Sequence, residues 1–227
     1  MKTIAIIPAG GKGIRSGSSV PKQYLKFNKK ELIVYTLEVF QQNNLIDEIV
    51  VSVEENYINL INNLKAEYNL SKITRIVVGG KKRQDSVFEA LKSVSNGSQN
   101  DLVAVHDAAR ALLPKEVLTN AINTAMHKGN ALVCIKAKDT LAKGKKIIDS
   151  FLDRAEVYYV QTPQIFKYSV LMKAMQSAYQ KNFIGTDESM LVKEIGEEVN
   201  IVEGSIYNFK ITSTDDIDLF KKLISTR

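Results

Sequence analysis

Apolar residues along the chain fall into two alternating kinds of segment. The first kind is a short run rich in β-branched residues, of the length of a strand buried on both faces. Such runs occupy residues 3–9, 48–53, 72–79, 102–107 and 130–137. The second kind spaces apolar residues by three and four positions, as an amphipathic helix does. These segments are 32–43, 56–68, 83–94 and 114–129. The alternation predicts an α/β fold with a doubly wound, mostly parallel sheet.

The pattern changes after residue 137. The segment from about 137 to 157 contains two strand-like runs separated by a Gly-Lys turn, and we expect an extended β-arm that its own domain buries poorly. A further helix pair is predicted from YSVLMKAMQSAYQ and DESMLVKEIG. A late strand or two and a terminal helix capped near Thr214 or Asp215 are predicted from EVNIVEG and NFKITSTDDIDLFKKLIST. We therefore interpret residues 1–227 as a single domain with an arm.

Composition narrows the class of protein. With 227 residues, of which 44% are hydrophobic, the chain can bury a substantial core. No apolar stretch reaches the ~18 residues of a membrane span, so we expect no membrane partner and a cytoplasmic location. The single cysteine, Cys134, cannot form an internal disulfide, which suits a reducing compartment. We expect Cys134 to be a small buried hydrophobic residue.

The charge of the chain permits an anionic partner without identifying it. The net charge is +6 and the pI is near 9.2. Lysines and arginines are spread along the chain, aromatic residues make up only 7%, and neither an RNA-binding aromatic signature nor zinc-finger spacing occurs. We therefore do not expect nucleic-acid binding, and we interpret the positive charge as suited to a small anionic ligand.

The first predicted strand leads into a glycine-rich turn. In IAIIPAGGKGIRSGSSVPKQYL the strand is followed by Ala9, Gly10 and Gly11, and then by the cations Arg15 and Lys22. Missing side chains let backbone N–H groups point outward, and such groups at a strand exit bind phosphate. The fourth predicted strand also exits into charged residues, and adjacent strand exits form a ligand crevice. The sequence predicts a triphosphate site in this crevice.

Three better-known phosphate motifs fit this turn less well. A Walker A loop needs glycine, lysine and a hydroxyl in an order that no register supplies here. The dinucleotide fingerprint matches only at Gly11 and Gly13, because Ser16 stands where the third glycine should be. Its ribose-binding acid is also misplaced, since Glu54 and Glu55 lie about twice as far along the chain as the usual ~20 residues. A kinase would need an H-R-D signature, which the chain's VHDAAR is not.

The motifs taken together resemble a known family. They are PAGGKGIRS, PKQYL, GGKKRQDSV, HDAAR, KDT, QTPQIF, TDES and VEG followed by NFKIT. In this order and at similar spacings they resemble the 2-C-methyl-D-erythritol 4-phosphate cytidylyltransferases of the non-mevalonate isoprenoid pathway, from residue 3 to about 216. The resemblance departs at Lys81, where some relatives have an acid, and at Ala111, where the family usually has proline.

The resemblance implies a Rossmann-like nucleotidyltransferase fold and a CTP-dependent transfer with Mg²⁺ present. A phosphate oxygen of the polyol phosphate would attack the α-phosphorus of CTP and release pyrophosphate. Such a nucleophile is already an anion, so the enzyme's task is to align two polyanions and neutralise charge on phosphorus. The family also uses its arm to reach a neighbouring subunit, which implies a homodimer with arm exchange.

The resemblance also implies roles for particular residues. The catalytic cations would be Arg15, Lys22 and Lys210. The nucleotide would be bound by Ala9, Gly10, Gly11, Gly80, Arg83, Ser86 and Asp107, with Asp107 also near the metal. The second substrate would be bound by Arg110, Thr140, Arg154 and Asp187, of which Thr140 and Arg154 lie in the arm. Asp187 alone could equally be a helix N-cap. We expect His106 to be a packed strand-end histidine, since the reaction abstracts no proton.

Three other functions remain to be weighed. A ribitol-5-phosphate cytidylyltransferase shares the nucleotide half, although TDES, HDAAR and LDR favour the methylerythritol enzyme. A non-catalytic nucleotide-binding module would be marked by loss of Arg15, Lys22 or Lys210, and all three are present. An NAD-linked oxidoreductase would need the third glycine and the ribose-binding acid, which are missing.

Overall fold

The computed structural model describes residues 1–11, 20–94 and 98–225. The strands of the described residues are β1 (Thr3–Pro8), β2 (Lys26–Phe27), β3 (Lys30–Glu31), β4 (Glu48–Val53), β5 (Ile73–Val78), β6 (Leu102–Val105), β7 (Asn130–Lys136), β8 (Leu141–Gly144), β9 (Ile148–Leu152), β10 (Tyr158–Lys167) and β11 (Ile201–Glu203). The helices are α1 (Leu32–Gln41), α2 (Ile58–Glu67), α3 (Arg83–Ser93), α4 (Lys115–Lys128), α5 (Tyr168–Gln180), α6 (Glu188–Glu194) and α7 (Thr214–Ser225). Short 3-10 turns cover Lys22–Tyr24 and Glu55–Tyr57.

Seven strands form the central sheet in the order β11-β7-β10-β6-β1-β4-β5. Of the strands predicted from the sequence, β4 and β6 pair in parallel with β1, and β5 pairs in parallel with β4. The predicted strand β7 pairs instead with β10 and β11. Only β10 runs antiparallel to its neighbours β6 and β7. The predicted doubly wound, mostly parallel α/β sheet is therefore confirmed, and the exits of β1, β4, β5 and β6 lie at one edge.

Alternate residues of β1 supply two separate cores, because successive strand side chains point to opposite faces. Ala5 and Ile7 pack into the cluster under α1, α2 and α4, together with Leu37 and Phe40. Ile4 and Ile6 pack into the cluster under α3, α5 and α6. Both faces of the sheet are thus covered, which explains why the strands appear in the sequence as continuous apolar runs.

A third apolar cluster joins α7 to the β2–β3 hairpin. Phe220 of α7 makes edge-to-face contacts with Phe27 and Tyr35. Ile211 belongs to the same cluster, and its N–H donates to the carbonyl oxygen of Ala109 at 2.9 Å. The cluster therefore holds the segment before α7 against the turn after β6, where the charged residues of the site lie.

The arm is present as an antiparallel hairpin of β8 and β9. Its large apolar side chains are exposed, with Ile147 81% and Phe151 67% accessible. Cys134 is buried, as expected, and burial raises the pKa of its thiol to about 11. Across the described ranges we find no helix with both the length and the apolar character of a bilayer span.

Three expectations need correction. First, β10 is a strand of the central sheet, whereas the sequence analysis predicted no strand over its residues. Second, the segment NFKIT is not a strand, since its backbone bonds to the turn after β6 and carries no ladder. Third, the N-cap of α7 is Ser213, one residue before the predicted Thr214. The Ser213 hydroxyl accepts from the N–H of Asp216, and the Asp216 carboxylate accepts from the N–H of Ser213.

Candidate active site

A large cleft opens where β1, β4, β5 and β6 end. Its volume is about 960 Å³, and its walls are formed by segments that are distant in sequence. The described residues that line it include Ala9, Gly10, Gly11, Lys22, Gln23, Gly79, Gly80, Arg83, Ser86, Asp107 and Lys210. Most of the predicted nucleotide-binding residues are therefore brought to one cleft. Arg15 belongs to residues 12–19, which lie outside the described part of the chain.

The turn after β1 brings bare backbone to the cleft. The N–H of Ala9 donates to the carbonyl oxygen of Ser52 at 2.7 Å, which extends the β1–β4 ladder to the cleft edge. A Cβ added to Gly10 would lie 3.5 Å from Oγ of Ser86, in ordinary van der Waals contact, whereas at Gly11 it would meet nothing within 4 Å. Gly11 therefore leaves open space beside the backbone in which a phosphate could approach its amide.

The turn between β5 and α3 forms the opposite wall. A Cβ on Gly80 would collide with the Cβ of Asp85, so only glycine allows the chain to fold back on the start of α3. Asp85 accepts a hydrogen bond from the N–H of Lys82 at 3.0 Å, which stabilises the first turn of α3. The Ser86 hydroxyl donates to the carbonyl oxygens of Gly80 and Lys82, at 3.3 Å and 3.1 Å. Ser86 therefore helps to fix this wall.

Asp107 is the centre of a buried ion cluster. Its two carboxylate oxygens contact Arg83 Nε at 2.9 Å, Lys210 Nζ at 2.9 Å and Arg110 Nε at 3.6 Å. Burial alone would raise the pKa of Asp107, but the positive charges of Arg83, Lys210 and Arg110 outweigh it and hold that pKa well below its usual range. One carboxylate thus fixes three cations from three segments at the edge of the cleft.

Glu188 is a second buried carboxylate of this cluster, and sequence reasoning missed it. It is 1% exposed, and its Oε1 accepts from Arg83 Nη1 at 2.6 Å. Burial would lower the pKa of Arg83, but Glu188 and Asp107 outweigh that effect and raise it. The sequence does contain an indication of this role, because helical spacing places Glu188 on the same face as the apolar Leu191 and Val192. An acid on the apolar face of a helix needs a buried cation.

A smaller cavity of about 150 Å³ lies on the other side of the ion cluster. Arg83, Asp107 and Lys210 line both cavities, so they form the boundary between them. The smaller cavity is also lined by Arg110, Thr162, Gln164 and Asp187. It lies where the pairing of β10 with β7 is interrupted, between Val160 and Gln164.

Two predicted second-substrate residues lie at this smaller cavity. Arg110 is held by the carbonyl oxygen of Asn208, at 2.7 Å from its Nη1. Asp187 caps α6, since its Oδ1 accepts from the N–H of Met190 at 3.1 Å. The capping role of Asp187 is therefore present, and its position on the cavity wall leaves a binding role open as a prediction.

Lys22 ties the glycine-loop side of the cleft to the Lys210 side. Its Nζ donates to the carbonyl oxygen of Ile211 at 2.6 Å, and Ile211 directly follows Lys210. The two lysines therefore lie at the same edge of the cleft. Thr140 and Arg154 differ, because both are exposed on the arm and neither lines either of the two cavities described above. Arg154 Nη1 donates instead to the carbonyl oxygen of Lys138 at 2.9 Å.

His106 is a packed residue, as expected from the sequence. It is fully buried, and its ring lies 5.0 Å from that of Phe40. Nδ1 is 3.0 Å from the Thr162 hydroxyl, and Nε2 is 3.1 Å from the carbonyl oxygen of Arg110. A neutral ring with its proton on Nε2 satisfies both contacts. Burial lowers the pKa of His106 to about 4.

We expect this buried neutral histidine to make folding depend on pH. The histidine of the unfolded chain binds a proton near its ordinary pKa of 6.5, and that of the folded chain does so near 4. This contribution to stability is therefore complete above pH 6.5 and falls as the pH decreases towards 4. The loss should total about 3 kcal/mol below pH 4, of which about 2 kcal/mol is expected at pH 5.0. Urea unfolding at pH 7.5, 6.0 and 5.0 measures it. The H106Q variant should lose this dependence, while replacing the chain's other histidine, His127, in H127Q should leave it unchanged. Equal pH dependence in both variants would contradict this account.

Two adjoining cavities lie at the strand exits of a doubly wound sheet, and cations line the boundary between them. This arrangement defines a transferase site for two anionic substrates, as in the nucleotidyltransferase class. Comparison with known proteins identifies the family. The sequence model for 2-C-methyl-D-erythritol 4-phosphate cytidylyltransferase matches residues 3–225. The chain belongs to this family.

The relatives match over nearly their whole length. The enzyme of this name from Syntrophus aciditrophicus is 38% identical over 96% of this chain and 94% of its own. That of Clostridium botulinum strain Langeland is 36% identical over 98% of this chain and 97% of its own. The crystal structure of the Francisella tularensis enzyme superposes with a TM-score of 0.83 at 30% identity, covering 98% of this chain and 99% of that one. The resemblance noted in the sequence is therefore confirmed.

Proposed function

We propose that the protein transfers the cytidylyl group of CTP to 2-C-methyl-D-erythritol 4-phosphate, giving 4-diphosphocytidyl-2-C-methyl-D-erythritol and pyrophosphate. The observation that carries this proposal is the boundary formed by Arg83, Asp107 and Lys210 between the two cavities. The larger cavity suits a nucleoside triphosphate, and the smaller one suits a polyol phosphate. The reacting atoms would then meet at the boundary, where the cations are fixed.

The chemistry needs positioning and charge more than proton transfer. An oxygen of the methylerythritol phosphate attacks the α-phosphorus of CTP, a new P–O bond forms, and the bond to the β-phosphate bridging oxygen breaks. Pyrophosphate leaves with the bonding electron pair. Lys210 and Lys22 would stabilise the negative charge that gathers on the phosphoryl oxygens, and Asp107 would hold Lys210 and Arg83 in place before the substrates arrive.

Magnesium would reach the site with the nucleotide. Within the described ranges no three His, Cys, Asp or Glu residues cluster to hold an ion, and Asp107 already contacts cations through both oxygens. A single carboxylate of this kind suits an ion bound mainly by substrate phosphates, which is the usual form of Mg²⁺ binding. When bound, the ion would neutralise phosphate charge, and Asp107 would be its protein ligand through an oxygen that gives up its lysine or arginine contact.

We further propose that residues 1–227 form one nucleotidyltransferase domain whose arm, at about 137–157, completes the site of a second copy in a homodimer. The exposed Ile147, Ile148 and Phe151 give the arm an apolar surface that a lone copy does not cover. Thr140 and Arg154 would then contact the polyol phosphate in the partner's smaller cavity. The lone buried Cys134 supports a reducing, cytoplasmic location.

Pyrophosphate release tests the proposed reaction. The protein is incubated with CTP and either methylerythritol 4-phosphate or ribitol 5-phosphate, and each pair is repeated with ATP and GTP in place of CTP. We expect CTP with methylerythritol phosphate to give the highest kcat/KM by a wide margin. A preference for ribitol phosphate would assign the sister reaction. Release with neither polyol phosphate would overturn the proposed function and favour a non-catalytic nucleotide-binding module.

Complementation between two inactive variants tests the arm exchange. R154A should lack the arm contact and K210M the cation at the boundary, so each homodimer should be nearly inactive. In a mixed dimer one site combines the intact Lys210 of one subunit with the intact Arg154 of the other. Co-expression should therefore restore about one quarter of wild-type activity, because half the dimers are mixed and half their sites are intact. If co-expression restores nothing, Arg154 acts within its own subunit or not at all.

A further inference from the structure

Gln23 is a buried polar residue beside the glycine loop. It lies in the 3-10 turn Lys22–Tyr24, directly after Lys22, and is 4% exposed. Its Nε2 donates to the carbonyl oxygen of Ala9 at 2.6 Å and to that of Gly11 at 2.8 Å. Both N–H groups of the side-chain amide are therefore used by the loop. Because both partners are acceptors, the nitrogen must be the atom that faces them.

These two bonds set the direction of the loop's peptide groups. A trans peptide is planar, and its C=O and N–H point in opposite directions. With the Ala9 carbonyl turned towards the buried Gln23, the N–H of Gly10 points away from Gln23. Without this anchor, the carbonyl of Gly11 could turn into the cleft and present negative charge to a phosphate, and the carbonyl of Ala9 would lose one of its two side-chain donors.

An aromatic pair next to Gln23 supports this anchor. Tyr24 stacks on Tyr57 with ring centroids 4.1 Å apart, and its hydroxyl also donates to the carbonyl oxygen of Ala9 at 3.1 Å. Burial raises the pKa of Tyr24, so the hydroxyl keeps its proton. Gln23 and Tyr24 thus bind the same Ala9 carbonyl, and Gln23 also binds that of Gly11. Such an arrangement orients the loop before any ligand binds.

We propose that Gln23 is a positioning residue that orients the glycine-loop amides towards the triphosphate. This inference rests on the proposed function, since it assumes that the cleft binds CTP. Gln23 affects binding of the phosphates only, because its two hydrogen bonds are to the loop of Ala9 to Gly11 and not to Gly79 or Gly80, which lie on the opposite wall of the cleft. Loss of the anchor should therefore weaken binding of the triphosphate and leave binding of the nucleoside unchanged.

Calorimetric titration of three probes tests the proposal: CTP, inorganic tripolyphosphate and cytidine. Q23M keeps the size of the side chain and removes both donors. We expect affinity for CTP and for tripolyphosphate to fall by the same factor, about 10- to 100-fold, with affinity for cytidine unchanged. Q23E keeps shape and polarity but sets a carboxylate against two carbonyls, and its loss should be larger. In kinetics, KM for CTP should rise while KM for the polyol phosphate stays constant.

Q41M is the matched control. Gln41 also joins a loop through its amide, donating to Ser71 Oγ at 3.0 Å and accepting from the N–H of Lys72 at 2.9 Å, but it lines neither cavity. The Q41M variant should bind all three probes with wild-type affinity. Unchanged tripolyphosphate affinity in both Q23M and Q23E would overturn the proposal, as would an equal loss for cytidine. If the wild type binds no CTP and releases no pyrophosphate, the proposed function fails instead.

Discussion

Replacing Lys210 with methionine should lower kcat by about 10²- to 10³-fold, as expected when one preorganised donor to the transition state is removed. The Lys210 ammonium lies 2.9 Å from Asp107 and lines both cavities, so it is placed where the attacking oxygen and the α-phosphorus of CTP would meet. K210M should stay folded, because Asp107 keeps Arg83 and Arg110 as partners. Steady-state pyrophosphate release, together with thermal unfolding, measures both effects.

K221M provides the control for K210M. Lys221 also pairs with an aspartate at 2.9 Å, Asp218, but on the exposed surface of α7. The same substitution there removes an ion pair of equal length without touching either cavity, and exposed pairs of this kind contribute little to stability. Its kcat should stay within about twofold of the wild type. A K210M enzyme as active as K221M would show that Lys210 is only a structural partner of Asp107.

The second large effect is expected for Lys22→Ala. Lys22 lies between the glycine loop and Lys210, and its Nζ donates to the carbonyl oxygen of Ile211 at 2.6 Å. The substitution removes a positive charge from the triphosphate and a tie between two walls of the cleft. We expect kcat/KM for CTP to fall by about 10²- to 10⁴-fold, with the far-ultraviolet circular dichroism spectrum unchanged. Steady-state kinetics at varied CTP concentration give the number.

Lys26→Ala separates the role of this lysine from general charge loss. Lys26 is four residues further on, is exposed, and pairs with Glu31 at 3.3 Å. K26A lowers the net charge by the same amount as K22A, but Lys26 lines neither of the two cavities, so K26A should keep wild-type kinetics. If K22A retains its full rate, or if K26A loses as much as K22A, the role assigned to Lys22 is wrong.

The sequence predicted the parallel half of the molecule well because its strands are buried on both faces. The run at 48–53 coincides with β4, and the helical spacing at 83–94 matches α3 to within one residue. The site at the exits of β1 and β6 followed from the same pattern, since parallel strands place their ends together. The residue roles came from the ordered set of motifs, because glycine loops alone are shared by many proteins.

The regions that sequence reasoning missed are those in which the site itself disturbs the pattern. In β10, Gln161, Thr162 and Gln164 are buried polar residues at the wall of the smaller cavity, so the strand lacks an apolar run. In NFKIT, the alternation arises because Phe209 and Ile211 face the third apolar cluster while Lys210 faces the cleft, and no neighbouring strand is involved. Local pattern cannot distinguish these cases from a hairpin or a strand.

A crystal structure of the protein with CTP and Mg²⁺ tests the central claim most directly. The account predicts the triphosphate at the exit of β1, within about 3 Å of backbone N–H groups of the glycine loop, with the α-phosphorus beside Lys210 and the cytosine near Gly80 and Ser86. A nucleotide bound elsewhere, or one whose base lies against Lys210 while its phosphates point away from the glycine loop, would contradict it.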